Sequence, residues 1–391
     1  MNVLVIATKS PWPPVDGGRF LLLNTLQALA ASGCRLTLVA PVDPTRFDLG
    51  RAARELAPLC TPRLVPAAPR PPAVSLLGSL RSGGAPLSIA RHSLPAVRQE
   101  VERLLGKDRF DLVHAEQLQA LPQAEPAFAR RIPIVLRAQN VESDLWAAAA
   151  LRGRGIRGLL LRREARLLAG WEGNAVRRAA ATLALTEEDA ARLRELSGGG
   201  GRVGIVRAAF PDLPPGTGRL EGEPAVVVFG SRGWLPNEES AAWFAGEVWP
   251  AVRAELPGAV LHLFGSDLGM AGPDVISHPS PSDSGEVYAP GSILAVPLRI
   301  ASGVRIKILE AWARGVPVVA TPAALAGLEA RDGEEALVAR EPRDFASAIA
   351  RLHREPALAA SLVNAGREAR RERHDPRAIA RRMMEEYEKL I

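Results

Sequence analysis

Short apolar runs alternate with longer amphipathic stretches along the first half of the chain. The runs are rich in β-branched residues, as in buried strands, and the stretches between them repeat apolar residues at helical spacing. This alternation predicts a doubly wound α/β fold, with a parallel sheet covered by helices on both faces. The predicted strands are Val3–Ile6, Leu36–Ala40, Arg63–Pro66, Leu112–His114, Ile134–Arg137, Thr182–Leu185 and Val203–Val206, and the helices include Arg19–Ala31, Leu94–Leu105 and Glu187–Leu196.

A stretch rich in proline and glycine interrupts this pattern, after which the alternation restarts. We therefore predict one Rossmann-like domain at residues 1–207, a linker at 208–224 and a second Rossmann-like domain at 225–375. A charged amphipathic helix at 376–391 would pack back on the first domain. The second domain has predicted strands Ala225–Phe229, Val260–Phe264, Val275–Ser277, Leu294–Val296 and Val316–Ala320, with helices Glu238–Glu255, Val304–Ala313 and three more from Pro342 onward.

Length and composition agree with two globular domains and limit the kinds of binding partner that we expect. The 391 residues exceed what one ordinary hydrophobic core supports. The net charge of +6 is carried mostly by arginine, and the sequence has no nucleic-acid-binding motif, so we predict no nucleic-acid partner.

Cys34 and Cys60 lack metal-ligand spacing, which favours a reducing compartment. With no apolar run of about eighteen residues, the expectation is a cytoplasmic protein.

The segment from Ser302 to Lys307 has the features of a phosphate site. A strand ends, a small-residue turn at Ser302 and Gly303 follows, and a helix begins whose exposed amides favour an anion. Arg305 and Lys307 in its first turns oppose the helix dipole unless an anion lies over the turn. The alternative is that Ser302 is only the helix N-cap.

Glu310 lies in the same helix among residues that are nearly all apolar, which implies burial. A buried carboxylate costs several kcal/mol unless it is paired or hydrogen-bonded. Ribose hydroxyls are one set of partners. An ion pair with Arg314 or Lys307, four and three residues away, is the other.

This segment resembles the carboxy-terminal signature of the family-four retaining glycosyltransferases of the GT-B fold. The resemblance implies two Rossmann-like domains facing across a cleft. It also implies that Glu310 holds the donor ribose and that the loop amides of Ser302, Gly303 and Val304 hold the diphosphate. Many members carry a second Glu where this chain has Ser302. The matching residues are Gly303, Arg305, Lys307, Glu310 and Ala311, followed by Gly315, Pro317, Val318 and Val319.

The first domain carries three further elements similar to the family. Gly17 and Gly18 match its Gly-rich loop, which approaches the donor, and Asp16 is placed to cap the next helix. His114 and Glu116 match a strand end beneath the transferred sugar, although a lone His at a strand end is also commonly structural.

The third element, Gln139 to Ser143, is similar to a His-Asn-x-Glu element of the family, with Gln139 in place of His. It makes Asn140 and Glu142 candidates for the acceptor site. Equally, Asn140 or Ser143 is placed to be the N-cap of the following helix.

In the second domain, Arg232 matches a basic residue that reaches the donor phosphates in relatives, and Asn237 is placed to cap the helix after it. The tryptophans at helical spacing nearby are typical of a core.

Arginines alternate with leucines from Arg152 to Arg166. The pattern is typical of a solvated helix face packed on one side, or of a segment that lies on an anionic membrane, here the inner face, near a lipid-linked acceptor.

Together with these features, the resemblance implies a glycosyltransferase of the hexosyl-transferring type that moves a sugar from a nucleotide diphosphate sugar and retains anomeric configuration. His114, Glu116, Arg232 and Lys307 are its candidate catalytic residues. No Asp-x-Asp or His/Cys cluster is present, so we expect charge stabilisation of the leaving diphosphate, without metal or cofactor. Two alternatives stay open: a sugar-nucleotide epimerase of the same fold, and a non-catalytic paralogue that binds nucleotide or glycan.

Overall fold

A computed structural model describes residues 1–71, 74–75, 79, 84–230, 235–265, 272, 274–281, 283–300 and 303–391. Backbone contacts divide the chain into two compact units. The first unit comprises Met1–Ala209, Ser302–Val304 and Pro376–Ile391, and the second comprises Phe210–Ala301 and Arg305–Asp375.

The first unit is built on a seven-stranded sheet in the order β3-β2-β1-β4-β5-β6-β7, and the paired strands run parallel. The strand order reverses beside β1, as in other doubly wound sheets. The strands are β1 (Asn2–Ile6), β2 (Arg35–Val42), β3 (Thr61–Pro66), β4 (Leu112–Glu116), β5 (Ile134–Ala138), β6 (Ala181–Ala184) and β7 (Val203–Ile205).

Both faces of this sheet are buried, which explains the continuous apolar character of its strands. Successive side chains of a strand point to opposite faces. Val3 and Val5 accordingly join one core cluster, whereas Leu4 and Ile6 join the cluster on the other face.

Helices cover both faces of the first sheet. The C-terminal helix Pro376–Glu388 packs beside the first helix, and its Met383 and Tyr387 belong to the same core cluster as Val3 and Val5. The helices of this unit are Gly17–Ala31, Leu49–Leu56, Leu87–His92, Pro95–Lys107, Glu125–Ala129, Glu142–Arg152, Gly155–Arg178, Glu187–Leu196 and Pro376–Glu388, with a 3-10 segment at Leu118–Ala124.

The second unit repeats the design with a six-stranded sheet in the order β10-β9-β8-β11-β12-β13, again with parallel pairing. The strands are β8 (Ala225–Phe229), β9 (Val260–Phe264), β10 (Val275–His278), β11 (Ile293–Val296), β12 (Val318–Ala320) and β13 (Leu337–Val338). Its helices are Leu235–Trp243, Trp249–Glu255, Ile306–Arg314, Pro322–Leu325, Pro342–Arg354 and Pro356–His374, with a π-helical turn at Phe244–Val248 and a 3-10 turn at Ser284–Glu286.

Trp243 and Trp249, the tryptophans at helical spacing, pack into or against the core of the second unit, as predicted. Trp249 and Trp312 are almost completely buried, and Trp243 packs edge-on against Phe345. The helix of Trp312 ends at Gly315, whose φ of +84° is the left-handed conformation that a helix C-cap favours in glycine. The sharp turn leads directly into β12.

The predicted fold class, two doubly wound parallel sheets, is confirmed. Several details differ. Strand β13 was not predicted, the predicted helix Glu238–Glu255 is interrupted by the π-helical turn, and the predicted helix Val304–Ala313 begins only at Ile306. Across the described ranges, no helix is long and apolar enough to span a bilayer.

Candidate functional site

Loops after neighbouring strands gather polar side chains at one edge of the first sheet. Ligands of doubly wound sheets bind at the carboxyl ends of strands, where the strand order reverses. Here that edge lies after β1, β4 and β5, and it carries Lys9, Glu116 and Gln139.

The Gly-rich loop lies against this edge. Asp16 caps the helix Gly17–Ala31, as predicted, by accepting a hydrogen bond from the Arg19 amide at 3.0 Å. Asp16 also pairs with Lys9 at 2.6 Å. Burial raises the pKa of Asp16, but Lys9 and Arg19 together hold it below its ordinary value. A Cβ atom at Gly18 would lie 3.1 Å from Oε1 of Gln139, so glycine permits the close approach.

His114 and Glu116 form a buried pair. His114 is 0% exposed, and its Nε2 lies 2.8 Å from Oε2 of Glu116. A carboxylate only accepts hydrogen bonds, so Nε2 carries the proton and Nδ1 is free to accept. The Tyr387 hydroxyl supplies the hydrogen bond to Nδ1. These contacts are those of a structural histidine, and they leave Glu116 as the member of the pair that is nearer the loop edge.

The pair continues into a chain of amides. Gln139 donates to Oε1 of Glu116 at 2.8 Å, and Gln117 donates to Oε1 of Gln139 at 2.8 Å. The Thr8 hydroxyl donates to Oε1 of Gln117 at 2.7 Å. Each acceptor is therefore satisfied by one donor, and the chain joins the ends of β1, β4 and β5 into one network. Together these hydrogen bonds fix the orientation of the Glu116 carboxylate.

Arg137 lies in the interior beside this network. It is 0% exposed, and its Nη2 donates to the carbonyl of Arg207 at 2.8 Å, whereas its Nε and Nη1 have no hydrogen-bond partner. Burial lowers the pKa of Arg137 to about 10, and the charge of Glu116 opposes this shift. The cation therefore balances the charge of Glu116 in a dry environment.

The predicted acceptor residues line a small cavity at the same edge. Asn140 and Glu142 lie around it with Gln117, Gln139 and Glu172. The prediction that Asn140 or Ser143 caps the next helix is wrong, because Val141 occupies the N-cap position.

The cap of that helix comes from another helix. The Glu172 carboxylate accepts the amides of Glu142 at 2.6 Å and Ser143 at 3.2 Å. Burial, together with the nearby charge of Glu142, raises the pKa of Glu172 to about 7. Burial also raises the pKa of Glu142. Two carboxyl groups whose charged forms are disfavoured therefore border the cavity.

In the second unit, Lys307 lies beside the end of β8. Its ammonium donates to the carbonyl of Phe229 and to Oδ1 of Asn237, the latter at 3.1 Å. Asn237 lies inside the helix Leu235–Trp243, so the prediction that it caps this helix is wrong. Burial, and then the positive charge of Arg305, lower the pKa of Lys307 to about 7. Two cations thus stand where the helix Ile306–Arg314 begins.

Glu310 lies one turn further along this helix and is buried. Its Oε1 accepts from Nε of Arg314 at 3.0 Å and from the hydroxyl of Ser284. The ion pair with Arg314, one of the two sequence interpretations, is therefore confirmed. A role at a donor ribose stays a prediction.

Two predicted residues, Arg232 and Ser302, lie outside the described residues. The N-cap position of the helix is Arg305, so the prediction that Ser302 is its N-cap is wrong. Gly303 has a φ of +71°, which favours glycine, and Val304 is buried. Among the described residues, no group of three or more His, Cys, Asp or Glu is placed to hold a metal ion.

Several residues of these sites were not predicted. Lys9 could have been identified from the sequence, because it is one of only four lysines and lies three residues after the end of β1. Glu172 and Tyr387 could not, since each acts on a residue far away in the sequence. Arg137 and Ser284 were likewise missed.

Comparison with protein families gives two matches. Residues 15–207 match the family described as Glycosyltransferase Family 4. Residues 223–355 match the family described as Glycosyl transferases group 1. The two matches cover most of the chain and contain both of its sheets apart from the first strand. No curated protein sequence matches the chain.

Solved structures resemble the chain over its whole length. Sucrose-phosphate synthase of Thermosynechococcus elongatus has a TM-score of 0.73 at 17% identity and covers 100% of this chain and 99% of its own. HepE of Anabaena, in complex with UDP and glucose, has a TM-score of 0.68 at 16% identity, with 100% of both chains covered. A glycosyltransferase of Rickettsia africae has a TM-score of 0.65 at 10% identity, covering 100% of this chain and 98% of its own. These likenesses confirm the predicted GT-B fold.

Proposed function

Because the chain belongs to the family-four glycosyltransferases of the GT-B fold, we propose that it transfers a sugar from a nucleotide diphosphate sugar to an acceptor, with retention of anomeric configuration. The diphosphate binds at Lys307 and Arg305. The acceptor side of the reaction uses the polar edge of the first sheet.

The observation that carries this proposal is the pair of cations at the start of the helix Ile306–Arg314. Both side chains lie at the start of this helix, where burial, and then the charge of Arg305, lower the pKa of Lys307 to about 7. Like charges so placed repel each other, and the helix dipole adds to the cost. A diphosphate removes both penalties, because it brings negative charge to the cations and to the exposed helix amides.

The chemistry proposed is charge stabilisation of the leaving group. The bond between the anomeric carbon and the diphosphate oxygen breaks while the acceptor oxygen bonds to that carbon from the same face, and the proton of the acceptor hydroxyl passes to the leaving diphosphate. Negative charge then accumulates on the diphosphate, where fixed cations stabilise it more in the transition state than in the bound donor. Arg232 contributes in the same way. No metal ion or further cofactor is part of the proposal.

On the acceptor side, we assign the contact with sugar or acceptor hydroxyls to Glu116, with His114 acting through it. The support is geometric: both ring nitrogens of His114 are bonded inside the protein, whereas each carboxylate oxygen of Glu116 accepts one such bond and can accept a second. Gly17 and Gly18 bring backbone to the same network. Asn140 and Glu142 line the adjacent cavity and are the proposed acceptor contacts.

The structures of HepE support the choice of donor class. HepE shares the fold at 15–16% identity and has been solved with UDP, with UDP and glucose, and with UDP-glucose. We propose the same chemical class, a nucleotide diphosphate sugar, for this chain.

A thermal-shift screen against UDP, GDP, ADP and dTDP tests the donor site. A ligand that binds the native state at 100 times its Kd stabilises it by about 2.7 kcal/mol, so the matching nucleotide raises the melting temperature by several degrees. Lys307→Ala and Arg232→Ala abolish this shift. Lys107→Ala removes an exposed lysine on the helix Pro95–Lys107 and keeps it.

The screen also separates failure of the assignment from failure of the fold. Each variant must melt cooperatively near the wild-type temperature without ligand. If both variants fold and still show the full shift with the same nucleotide, the diphosphate does not bind at these residues. If no nucleoside diphosphate shifts the wild type at millimolar concentration, the proposed donor class is wrong.

A further inference from the structure

Four large apolar side chains stand in solvent around the start of the helix Gly155–Arg178. Leu151, Ile156, Leu159 and Leu160 are 90%, 78%, 62% and 40% exposed. We call these four residues the apolar patch. The part of the chain that the structure describes has eight exposed large hydrophobic residues, and half of them lie in the ten positions from Leu151 to Leu160.

The patch lies on the side of the helix that faces away from the protein. Ile156, Leu159 and Leu160 are three and four residues apart, so they share one face. Gly158, and further along Ala165 and Leu168, mark the buried face of the same helix. A helix that covers one core normally carries polar residues opposite that core. This helix is apolar on both sides, and the outer side has no partner within the described chain.

Positive charge surrounds the apolar patch. Arg154, Arg157, Arg162 and Arg166 are all exposed. Across the described ranges none of these four forms an ion pair, in contrast to Arg178 at the other end of the helix, which binds Glu125 at 3.0 Å. The long arginine side chains can keep their charged ends at the level of headgroups while the leucines enter the apolar layer.

Acidic side chains near the patch already have partners within the protein. Glu164, the one acidic residue between Leu151 and Arg166, is buried and accepts the amide of Leu87. Asp144 on the preceding helix is bound by Arg192 at 3.0 Å. The patch therefore offers apolar groups and positive charge without competing negative charge.

We propose that the apolar patch and its arginines dock on the surface of an anionic lipid bilayer. Exposed leucines ringed by arginines fit such a surface, because acyl chains accept the apolar side chains and lipid phosphates accept the guanidinium groups. A second copy of the chain fits less well, because it would bring the same four arginines to the interface. The helix lies in the plane of the interface and does not span the bilayer.

Co-sedimentation of the full chain with vesicles tests this proposal. We expect binding to vesicles that mix phosphatidylglycerol with phosphatidylcholine and little binding to pure phosphatidylcholine, with affinity falling as salt increases. The double variant Ile156→Ser with Leu159→Ser lowers partitioning by about tenfold or more. Arg157→Gln lowers it by roughly fivefold, the effect of one arginine at an anionic surface.

Matched variants elsewhere give the controls. Ile391→Ser changes an isoleucine that is 60% exposed, and Arg98→Gln changes an exposed arginine on the helix Pro95–Lys107. Both keep wild-type binding and all variants keep the wild-type melting temperature. The proposal is overturned if anionic vesicles do not bind the protein, or if the patch and control variants bind equally. It is also overturned if analytical ultracentrifugation shows a dimer that the double variant dissociates.

Discussion

The hydroxyl of Tyr387, in the last turn of the C-terminal helix, donates a hydrogen bond to Nδ1 of His114 in β4. This bond fixes which nitrogen of His114 carries the proton. The opposite nitrogen, Nε2, then donates to Glu116 at 2.8 Å. A residue at the end of the chain therefore positions a carboxylate at the loop edge of the first sheet.

Replacing Tyr387 by Phe leaves Nδ1 of His114 buried without a donor. An unsatisfied buried group costs about 1–3 kcal/mol, and we expect the free energy of unfolding to fall by that amount in urea denaturation. Nitrogen NMR should also show a changed protonation pattern of the His114 ring. Tyr288→Phe, at the only other tyrosine, leaves the ring signals unchanged. Identical His114 signals in wild type and Tyr387→Phe would remove Tyr387 from this role.

Glu172 makes stability depend on pH in a direction opposite to that of most carboxylates. Its pKa is raised from 4.5 to about 7 on folding, so the folded state holds more protons between these values and this contribution to stability is lost as pH rises. The loss amounts to about 3 kcal/mol between pH 4 and pH 8. Urea denaturation at several pH values should show this fall in the free energy of unfolding in wild type and not in Glu172→Gln. Parallel pH profiles of the two proteins would contradict it.

The affinity for a nucleoside diphosphate should depend on the protonation of Lys307. The pKa of its amine is about 7 without ligand, and a bound diphosphate favours the charged form. Above pH 7 the Lys307 amine must therefore take up a proton when the diphosphate binds. The affinity falls by up to about tenfold per pH unit between pH 7 and 9. Calorimetry across this range measures the slope. Lys307→Met should bind the nucleoside diphosphate weakly, with an affinity that does not change with pH in this range. An equal pH dependence in the variant would assign the proton to another group.

Glu310 and Arg314 can be separated by paired substitutions. If Glu310 holds the donor ribose, Glu310→Ala loses charged hydrogen bonds worth about 1.5–3 kcal/mol and weakens nucleoside diphosphate binding by about tenfold or more. Arg314→Met breaks the same ion pair from the other side but keeps the carboxylate that would accept the ribose hydroxyls, so it should weaken nucleoside diphosphate binding much less than Glu310→Ala. Calorimetry on both variants measures the two affinities. An unchanged affinity in Glu310→Ala would mean that Glu310 only forms the ion pair with Arg314 and does not contact the ribose.

Much of the fold follows from local sequence signals. The three final helices, predicted from Pro342 onward, begin at Pro342, Pro356 and Pro376, and a proline at the first helical position costs nothing because its missing N–H has no partner there. The strand Leu337–Val338 was missed because two residues are too few to show a periodicity. The helix predicted from Val304 starts later, since Gly303 has a φ of +71° and two further residues precede the first turn.

The sites were predictable only in part, for a different physical reason. The glycines and cations next to strand ends could be identified, because the position of a loop after a strand is a local property. The partners that decide what those residues do lie far away in sequence. Tyr387 is 273 residues from His114, and Glu172 is 30 residues from Glu142. Such pairs are created by packing, and no spacing rule indicates them.

Retention in the proposed sugar transfer is tested most directly by proton NMR of the protein with the nucleotide sugar that the thermal-shift screen selects. Without an acceptor, water takes its place at a slow rate. We expect release of nucleoside diphosphate together with free sugar that first appears in the anomeric configuration of the donor, and Lys307→Ala slows this release by orders of magnitude. Sugar of inverted configuration, a new nucleotide sugar without release, or a bound donor that stays intact would each overturn the proposed transfer.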